Sequence, residues 1–513
     1  MGSIATALVS VSDKTGLDEF ARRMSELGVE FVASGGTAEY LERAGVKVTG
    51  ISEITGRVDF LGGLVKTLHP AIHAGILADR SSPGHMEELQ SLGYRKIDMV
   101  VVNFYPLGGD RDSRDLSFID IGGPAMTRAA AKNFGSCVIV PDSGWYGRVI
   151  EEIEATGGVG RDLRWELARD ALSRTGSYDA RTLALVPGED GREAVPVSML
   201  VGMKRMLKLR YGENPHQAAG FYCAGAGPGF EVLKGELSYN NILDLDCCLD
   251  ALAEFDGNAA IVVKHVGPCG VAEAEGELGP LERAYACDPL SAFGGVIGVN
   301  FTFTEECAGF LAKRFVECIA APAFEEAALA RLRKKKRTRV VAVPGLSGLR
   351  AAGGPAARIG AVRLRTAFGG MLAQSPDTGL LTAELEFAGG KRPPDEVVRD
   401  LMFAWKAVKH VKSNAIVFAR SGRTLGIGAG QPSRVDSTKI AIRKAAEGGH
   451  DLEGSVMASD GFFPFPDSVD LAHEAGARAV VQPGGSIRDK EVIERALELG
   501  MVMALTHTRH FRH

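Results

Sequence analysis

The sequence of 513 residues lacks any apolar run that could cross a membrane as a helix. Its longest apolar runs, such as residues 99–102 and 259–263, fall far short of the roughly 18 residues that a transmembrane helix needs. Residues 1–12 also lack the charged and apolar regions of a secretory signal. We therefore expect a cytoplasmic protein with no membrane partner.

Paired cysteine motifs are missing as well. None of the eight cysteines lies in a C-x-x-C motif, and the adjacent Cys247 and Cys248 are poorly placed to bridge each other. This usage is typical of a reducing compartment and argues against a structural zinc site.

An overall excess of basic residues is also absent. Lys and Arg number 59 against 64 Asp and Glu, and the net charge of −5 argues against nucleic acid as a partner. One local exception is residues 331–339, where seven of nine residues are basic. We interpret this run as the solvated end of a helix. The alternative, a nuclear signal or a nucleic-acid patch, is disfavoured by the negative charge of the chain.

The sequence contains enough apolar material to fold throughout. Apolar residues make up 45% and charged residues 24%, close to the averages for globular proteins. The length predicts about three domains. Glycine, at 64 residues, is about twice as frequent as usual, which predicts many tight turns near ligands.

Alternating strand-like and helical patterns predict a parallel α/β sheet in the first part of the chain. The predicted strands lie at residues 7–11, 30–33, 100–104 and 136–140. The composition then changes, and we place a domain boundary near residue 197. Beyond it, the similar apolar segments 258–264 and 414–420 lie about 156 positions apart and indicate a duplicated α/β unit.

Two predicted strand-to-helix junctions in the first part carry hydroxyl residues and glycines. They read SVSDKTG at residues 10–16 and SGGT at residues 34–37. Backbone N–H groups at a helix N-terminus, with hydroxyls and a lysine beside them, suit a phosphate. The same residue types are ordinary helix caps, which is the alternative. Two such junctions in one domain favour a phosphorylated ligand.

Further polar groups follow in the first part. Lys66 and Thr67 precede His69 and His73, whose spacing is that of a metal-binding pair, but Pro70 breaks the helix that would align them. We therefore expect no metal there.

Two later segments add candidate groups. Tyr105 follows an apolar strand, which places its phenol at the sheet edge where α/β proteins bind ligands; a core or turn tyrosine is the alternative. Asp120 lies before a glycine turn that is followed by Arg128 and Lys132. These residues offer a carboxylate and two cations to a ligand.

Together, these segments resemble the bifunctional AICAR transformylase/IMP cyclohydrolase family of purine synthesis. The shared motifs are SVSDKTG, ASGGT, VKTLHPAIHAGIL, IDIGGPAMTRAAAKN, LRYGENPHQ, VVKHVGPCG, DPLSAFGG, SNAIV, GIGAGQPSR and SDGFFPFPDSVD. The resemblance implies an N-terminal methylglyoxal-synthase-like parallel-sheet domain at 1–197. It also implies a C-terminal duplicated cytidine-deaminase-like α/β domain at 198–513, with subdomains at roughly 198–370 and 371–513.

The resemblance implies the last two steps of IMP synthesis. A phosphoribosylaminoimidazolecarboxamide formyltransferase would move the formyl group of 10-formyltetrahydrofolate to AICAR, giving formyl-AICAR and tetrahydrofolate. An IMP cyclohydrolase would then close formyl-AICAR to IMP with loss of water. The resemblance also implies a homodimer with the transformylase site at the subunit interface. It implies no catalytic metal but leaves room for a structural monovalent cation.

In the first domain, the resemblance assigns two groups of residues. Those expected to bind substrate, mainly its ribose phosphate, are Ser10, Ser12, Lys14, Ser34, Gly35, Gly36, Thr37 and Thr67. Those expected around the formamide and carboxamide are Lys66, Tyr105, Asp120 and Lys132. Ring closure is intramolecular, so positioning supplies a large effective concentration, and an ammonium and a phenol can stabilise charge on the formyl oxygen.

One residue departs from the family pattern. Leu64 stands where the family usually has Arg, so a guanidinium contact with the ligand is lost. We expect reduced cyclohydrolase activity. The alternative is a transformylase only, whose N-terminal domain is impaired or acts as a nucleotide-binding regulatory module.

In the second domain, Lys264 and His265 follow an apolar strand and are the expected catalytic pair. The aromatic amine of AICAR is a poor nucleophile, so a base such as His265 assists its attack. Lys264 would stabilise the oxyanion or protonate the departing folate nitrogen. Without the resemblance, the pair would be interpreted as surface residues at a strand end.

Other residues of the second domain are carried over from the family. Those expected near the substrate are Arg210, Tyr211, Asn214 and His216, and those near the folate are Phe293 and Gly294. Those expected to close the site are Asn414, Gln431, Arg434, Phe462, Asp467, Arg509 and His513. Since chain ends usually fray, order at Arg509 and His513 would be informative.

Two rival enzyme classes fit the sequence poorly. A zinc deaminase needs H-x-E and P-C-x-x-C motifs, which are absent around His265 and Cys269. A phosphate lyase like methylglyoxal synthase would leave the second domain unexplained.

Overall fold

The computed structural model describes residues 4–33, 35–56, 61, 65–106, 116–186, 195, 197–223, 227, 229–346, 362–381 and 384–513. The chain divides into two compact units, Met1–Met203 and Lys204–His513. No helix among the described residues is long and apolar enough to cross a membrane.

The unit Met1–Met203 contains a five-stranded sheet flanked by helices. Its strands are β1 Thr6–Ser10, β2 Glu30–Ala33, β3 Val48–Gly50, β4 Met99–Val102 and β5 Val138–Val140. Its helices are α1 Leu17–Glu26, α2 Gly35–Arg43, α3 Ile51–Thr55, α4 Pro70–Leu77, α5 Pro83–Ser91, α6 Gly122–Lys132, α7 Tyr146–Thr156 and α8 Arg161–Leu185.

All neighbouring strands of this sheet are parallel, in the order β3-β2-β1-β4-β5, as the sequence predicts. Strand β4 and the centre of β1, residues 7–9, consist of buried apolar residues, as expected where helices cover both faces of a parallel sheet. The strand order reverses between β1 and β4. Ligands of such folds bind beyond the carboxyl ends of the strands at this point.

The unit Lys204–His513 is built on a twelve-stranded sheet and two small hairpins. Its first elements are β6 Lys204–Leu209, β7 Ala219–Cys223, β8 Glu231–Lys234, α9 Tyr239–Leu252, β9 Ala259–Lys264, β10 Gly267–Glu273, α10 Leu278–Cys287, α11 Pro289–Ala292, β11 Val296–Val299, α12 Glu305–Phe310, β12 Cys318–Ala321, α13 Glu326–Arg333 and β13 Arg339–Ala342. A hairpin follows, formed by β14 Arg363–Ala367 and β15 Gly370–Gln374.

The remaining elements repeat the first set. They are β16 Glu386–Phe387, α14 Asp395–Val408, β17 Ile416–Arg420, β18 Arg423–Gly428, α15 Arg434–Glu447, β19 Val456–Ser459, α16 Asp467–Glu474, β20 Ala479–Gln482, α17 Asp489–Glu498 and β21 Val502–Leu505. The sheet order is β8-β13-β12-β11-β9-β10 followed by β18-β17-β19-β20-β21-β16, a repeated arrangement joined by the antiparallel pair β10 and β18. The duplication indicated by the sequence is therefore confirmed.

Alternating residues of the central strands build the core of this unit. In β9, Ala259, Ile261 and Val263 pack in the cluster that includes α9 and α14, while Ala260 and Val262 pack in the cluster on the other face. This period of two follows from the pleat of a strand. The predicted division after residue 370 falls inside the β14–β15 hairpin, between the two repeats.

Candidate active sites

At the carboxyl edge of the first sheet, the loop after β1 is fixed to the loop after β4. The Asn103 Oδ1 accepts the backbone N–H groups of Ser12 (2.6 Å) and Asp13 (3.0 Å), and its Nδ2 donates to the Asp13 carbonyl (2.7 Å). Lys14 Nζ lies 3.4 Å from the Ser12 carbonyl oxygen. The predicted residues Ser10, Ser12 and Lys14 thus lie at the point where the strand order reverses.

The second glycine junction is joined to the same loop. The buried Thr37 Oγ1 donates to the carbonyl of Val11 (3.1 Å) and accepts its N–H (3.4 Å), so this hydroxyl connects α2 to the end of β1. Gly35 has a positive φ of 50° at the start of α2, next to Gly36. Ser34 lies outside the described residues.

Lys66 and Thr67 lie against the first residues of two helices. A Cβ atom on Gly35 would be 3.6 Å from Lys66 Nζ, and one on Gly122 would be 2.6 Å from Thr67 Oγ1. The segment therefore lies at the N-termini of both α2 and α6. Amide groups and a lysine gathered in this way suit an anionic ligand.

Asp120 lies next to this segment. Its carboxylate accepts the backbone N–H groups of Gly123 (2.9 Å) and Tyr105 (3.4 Å), while its own N–H donates to the hydroxyl of Tyr178 (2.8 Å). Burial raises the pKa of Tyr178. The ring of Tyr105 is 65% exposed. The structure thus brings Asp120 and Tyr105 together.

Within this unit, Lys132 lies away from Asp120 and Tyr105. It is the exposed last residue of α6, about 15 Å along the helix axis from Gly122. Its predicted place near the formamide stays a prediction.

His69 directly precedes α4, and His73 lies within that helix. His69 Nδ1 accepts the N–H of Ala71 (3.1 Å) and caps α4, whereas burial lowers the pKa of His73. Among the described residues, no group of three or more His, Cys, Asp and Glu side chains is arranged to hold a metal ion. The structural monovalent cation stays a prediction.

In the second unit, Lys264 and His265 lie at the carboxyl end of β9. Lys264 Nζ donates to the Phe293 carbonyl oxygen (2.7 Å). His265 and Val266 have positive φ angles of 54° and 62°, and the Val266 N–H donates to Asp244 Oδ1 (2.7 Å). Burial raises the pKa of Asp244, with the charges of His265 and Lys264 acting in the opposite direction.

Phe293 and Gly294 adjoin this pair. The N–H of Gly294 donates to the Phe315 carbonyl (2.8 Å), and the ring of Phe315 lies edge-on to that of Phe293, 5.4 Å away. The residues predicted near the folate therefore lie beside the predicted catalytic lysine.

A first cavity of about 520 Å³ contains Arg210 and Tyr211. Its complete lining is Arg210, Tyr211, Lys234, Gly235, Glu236, Leu237, Ser238, Glu317, Lys336, Arg337, Thr338 and Arg339. Asn214 is bound instead within its own turn, since its N–H donates to Gln217 Oε1 (2.8 Å), and His216 is exposed. Neither residue lines the cavity.

A second cavity of about 500 Å³ contains four predicted residues, Asn414, Arg434, Phe462 and Asp467. Its other lining residues are Pro432, Ser433, Val435, Pro464, Phe465 and Phe511. Gln431 does not line this cavity, but its backbone carbonyl accepts a hydrogen bond from Asn414 Nδ2 (3.0 Å).

Arg434 is held rigidly at this cavity. Its guanidinium forms an ion pair with the fully buried Asp460, donates to Ser459 Oγ (2.8 Å) and donates to Asn414 Oδ1 (2.8 Å). The arginine therefore orients the Asn414 side chain.

Phe511, among the last residues of the sequence, lines the same cavity. The guanidinium of Arg509 lies 4.3 Å from the ring centroid of Phe511, and the ring of His513 lies 5.8 Å from it. The Ser413 N–H donates to the Arg512 carbonyl (2.9 Å), and His510 bonds Asp377 (2.6 Å). Arg509 and His513 are not among the lining residues of the cavity, so their part in the site stays a prediction.

Comparison with known proteins decides the family. A family model described as the AICARFT/IMPCHase bienzyme matches residues 130–444, and one described as an MGS-like domain matches residues 16–124. The "Bifunctional purine biosynthesis protein PurH" of Magnetococcus marinus is 44% identical, and that of Acidithiobacillus ferrooxidans 43%, each over 100% of both chains. The chain belongs to the AICARFT/IMPCHase bienzyme family. A solved structure, "Crystal structure of ForH", is 34% identical and covers 36% of this chain and 96% of that chain, with a TM-score of 0.33.

Membership of this bienzyme family gives the chain two activities, AICAR transformylase and IMP cyclohydrolase, with a formyl-folate as co-substrate. The transformylase-only alternative is not favoured, because the bifunctional relatives match over the full length. Leu64, on which that alternative was based, lies outside the described residues.

Several residues at these bienzyme sites were not predicted as site residues. They are Asn103, Tyr178, Asp244, Glu317, Asp460 and Phe511. Asn103 follows the strand β4 directly, so its position at the sheet edge was a usable signal. Glu317 directly precedes the strand β12. The others depend on contacts between distant segments.

Proposed function

We propose that the two units divide the reactions of the bienzyme between them. The unit Met1–Met203 closes formyl-AICAR to IMP, and the unit Lys204–His513 transfers the formyl group from 10-formyltetrahydrofolate to AICAR. The transformylase half is supported by the hydrogen bond from the Lys264 ammonium, at the end of β9, to the carbonyl of Phe293, one of the predicted folate residues. The cyclohydrolase half is supported by the position of Lys66 and Thr67 at two helix N-termini.

In the formyl transfer, the amine nitrogen of AICAR attacks the formyl carbon of the folate. His265 removes a proton from the amine, and a C–N bond forms while the bond from the formyl carbon to folate N10 breaks. The ammonium of Lys264 stabilises the oxyanion, and the proton ends on N10 of tetrahydrofolate. The hydrogen bond to Phe293 holds this ammonium in place.

In the ring closure, the carboxamide nitrogen of formyl-AICAR attacks the formyl carbon of the same molecule, and the bond from that carbon to the formyl oxygen then breaks. The carboxamide nitrogen and the formamide nitrogen each lose one proton, and the formyl oxygen takes up two protons and leaves as water. Lys66 and Tyr105 stabilise charge on that oxygen, and Asp120 accepts the proton that the carboxamide loses. The backbone groups that hold Asp120 fix its orientation. Since both reacting groups belong to one molecule, the enzyme chiefly has to position them.

We also propose that the transformylase site is shared between two copies of the chain. The two cavities of the unit Lys204–His513 have no lining residue in common. The second is surrounded by large exposed rings, with Phe462 39%, Phe465 49% and Phe511 44% exposed. A second copy covering these rings would bury apolar surface and bring Asn414 of one copy to Lys264 of the other.

The test of the division measures tetrahydrofolate release from AICAR and 10-formyltetrahydrofolate separately from the cyclisation of added formyl-AICAR. Lys264→Ala should abolish the first and leave the second, and Lys66→Ala should do the reverse. A single variant that loses both reactions while remaining folded contradicts the division.

Mixing two inactive variants tests the shared site. Lys264→Ala and Asn414→Ala, denatured and refolded together, should recover about a quarter of the wild-type transformylase activity, because half of the dimers are mixed and each has one intact site. No recovery, with both variants dimeric, contradicts a shared site.

A further inference from the structure

The buried face of the helix α8 changes from apolar to hydroxyl-bearing residues along its length. Leu163, Leu167 and Ala171 belong to the apolar core of the unit Met1–Met203. Thr175 and Tyr178 continue the same face, at spacings of four and three residues, and are 2% and 6% exposed. Each of these two side chains therefore buries a hydroxyl, and a buried hydroxyl needs a hydrogen-bond partner.

The two hydroxyls find their partners in different places. Thr175 Oγ1 donates to the carbonyl of Leu172 in the same helix (2.9 Å). Tyr178 Oη accepts the backbone N–H of Asp120 (2.8 Å), which lies 58 positions earlier in the sequence. The first hydroxyl thus stays within α8, whereas the second connects α8 to a residue of the proposed cyclohydrolase site.

The ring of Tyr178 contacts a second segment of that site. It lies edge-on to the ring of Phe104, with the two centroids 5.1 Å apart. Phe104 directly precedes Tyr105, whose N–H donates to the Asp120 carboxylate (3.4 Å). One buried side chain therefore touches both segments that carry Asp120 and Tyr105.

The helix that carries Tyr178 is itself joined to α6. Arg128 of α6 forms an ion pair with Asp179, the residue that follows Tyr178. At the start of α6, the N–H of Gly123 donates to Asp120 Oδ1 (2.9 Å). Asp120 is therefore held by its carboxylate from α6 and by its backbone from α8.

The hydroxyl of Tyr178 acts on the position of Asp120 rather than on its charge. Burial raises the pKa of Tyr178, so the phenol stays protonated near neutral pH and adds no negative charge beside the carboxylate. Loss of the N–H contact would instead let the Asp120 backbone move. In a site that works by geometry, a displacement of about 1 Å can cost about 10²-fold in rate.

We propose that Tyr178 is a positioning residue of the ring closure, which fixes Asp120 directly and Tyr105 through Phe104. The proposal rests on the proposed function, because the proton-accepting role of Asp120 belongs to it. Ring closure joins two groups of one molecule, so the enzyme contributes mainly geometry, and loss of a positioning contact lowers kcat rather than raising KM.

The test compares Tyr178→Phe with Thr175→Val, since each change removes one buried hydroxyl of α8 and keeps the shape of the side chain. In Tyr178→Phe, the kcat for cyclisation of added formyl-AICAR should fall about tenfold, with KM within about twofold of wild type. Thr175→Val should leave both values unchanged, although each variant loses some stability. Tetrahydrofolate release by the unit Lys204–His513 is the internal control and should not change.

A double-mutant cycle with Asp120→Asn separates positioning from a general loss of structure. When Asp120 can no longer accept a proton, Tyr178→Phe should lower kcat by less than about twofold further. If Tyr178→Phe lowers kcat by the same factor in both backgrounds, keeps the wild-type kcat, or acts no more strongly than Thr175→Val, the positioning role is wrong. If Asp120→Asn itself keeps the wild-type kcat, the proposed role of Asp120 fails, and that of Tyr178 fails with it.

Discussion

In the unit Lys204–His513, the hairpins β9–β10 and β17–β18 occupy equivalent places on either side of the pair β10 and β18. Their turns have the same backbone. His265 and Val266 have φ angles of 54° and 62°, and Ser421 and Gly422 have 53° and 68°. Corresponding residues lie 156 positions apart.

Each turn is also bound to the helix beneath it in the same way. The Val266 N–H donates to Asp244 of α9 (2.7 Å), and the Gly422 N–H donates to Asp400 of α14 (3.4 Å). Burial raises the pKa of both carboxyls. The scaffold of the site is therefore duplicated.

The side chains of the two turns differ. Lys264 and His265 in the first hairpin correspond to Arg420 and Ser421 in the second. Serine cannot serve as a base near neutral pH as histidine can, and a guanidinium does not give up a proton there. Duplication therefore supplied the backbone twice, while the proposed formyl transfer uses two side chains of one copy only.

The sharpest test of this difference compares removal of the proposed base, His265, with removal of the corresponding residue, Ser421, in the second hairpin. His265→Ala should lower the transformylase kcat by about 10²–10⁴-fold, because general base catalysis is lost. Ser421→Ala should change it by less than about twofold. Stopped assays of tetrahydrofolate release provide the measurement.

Cyclisation of formyl-AICAR is the internal control and should be unchanged in both variants. If Ser421→Ala lowers kcat as much as His265→Ala does, the second hairpin takes part in catalysis and the comparison fails.

Replacing the corresponding glycines in the two repeats should destabilise the fold by the same amount. A Cβ on Gly270 would lie 1.9 Å from the carbonyl oxygen of Ala284, and one on Gly426 would lie 2.2 Å from that of Ala441. Each glycine lets its strand approach the following helix. Replacement of either by alanine should lower the free energy of unfolding by about 3 kcal/mol, since backbone must move. Urea unfolding measures it.

Gly279→Ala is the matched control, because its Cβ would meet nothing nearer than 3.8 Å and it lies in the first turn of α10. That variant should be neutral or slightly stabilised. A large loss at Gly270 but not at Gly426 would mean that the halves are packed differently, which breaks the comparison.

Much of this scaffold could be predicted from the sequence, because it depends on local patterns. The apolar segments at 258–264 and 414–420 indicated the repeat. Lys264 and His265, by contrast, were singled out only by the resemblance to the family. Contacts between distant segments were not predictable, because the topology decides them. Asn103, after β4, binds the N–H of Ser12, after the neighbouring strand β1, and Asp460 pairs with Arg434. The basic run shows the same limit, since its spacing does not reveal that Lys336 and Arg337 line a cavity.

Glu254 and His410 occupy corresponding positions, 156 residues apart, and contact each other at 3.3 Å. Burial alone would raise the pKa of the Glu254 carboxyl, but the hydrogen bond and charge of His410, and then the ammonium of Lys409, lower that pKa to about 2. Burial lowers the pKa of His410, so near neutral pH its imidazole is uncharged, and the charge that pairs with the Glu254 carboxylate is the Lys409 ammonium, 2.6 Å away.

Because the folded-state pKa of Glu254 lies below its ordinary value of 4.5, the carboxylate stabilises the fold above that pH. This contribution is lost as the pH falls toward 2. Glu254→Gln should therefore lower the free energy of unfolding by about 2 kcal/mol at pH 7, and the difference from wild type should shrink between pH 4.5 and 2. Urea unfolding across this range measures it. A difference that is constant with pH would show that the ionised carboxylate does not stabilise the contact.

The smallest expected effect on catalysis is that of Asp244, the carboxylate that binds the turn of the first hairpin. Asp244→Ala removes the acceptor of the Val266 N–H, so the turn that holds His265 loosens. We expect kcat of the transformylase to fall about tenfold with KM unchanged, because the displaced groups act mainly in the transition state.

Asp244→Asn should recover most of the lost rate, since its amide oxygen can still accept the N–H. Asp400→Ala, the matched change in the second copy, should lower the free energy of unfolding similarly but leave kcat within about twofold of wild type. If Asp400→Ala lowers kcat as much as Asp244→Ala does, then loss of stability alone explains the lower rate. If Asp244→Ala instead raises KM and leaves kcat unchanged, the carboxylate acts on substrate binding, and the duplicated turn has no special part in positioning the base.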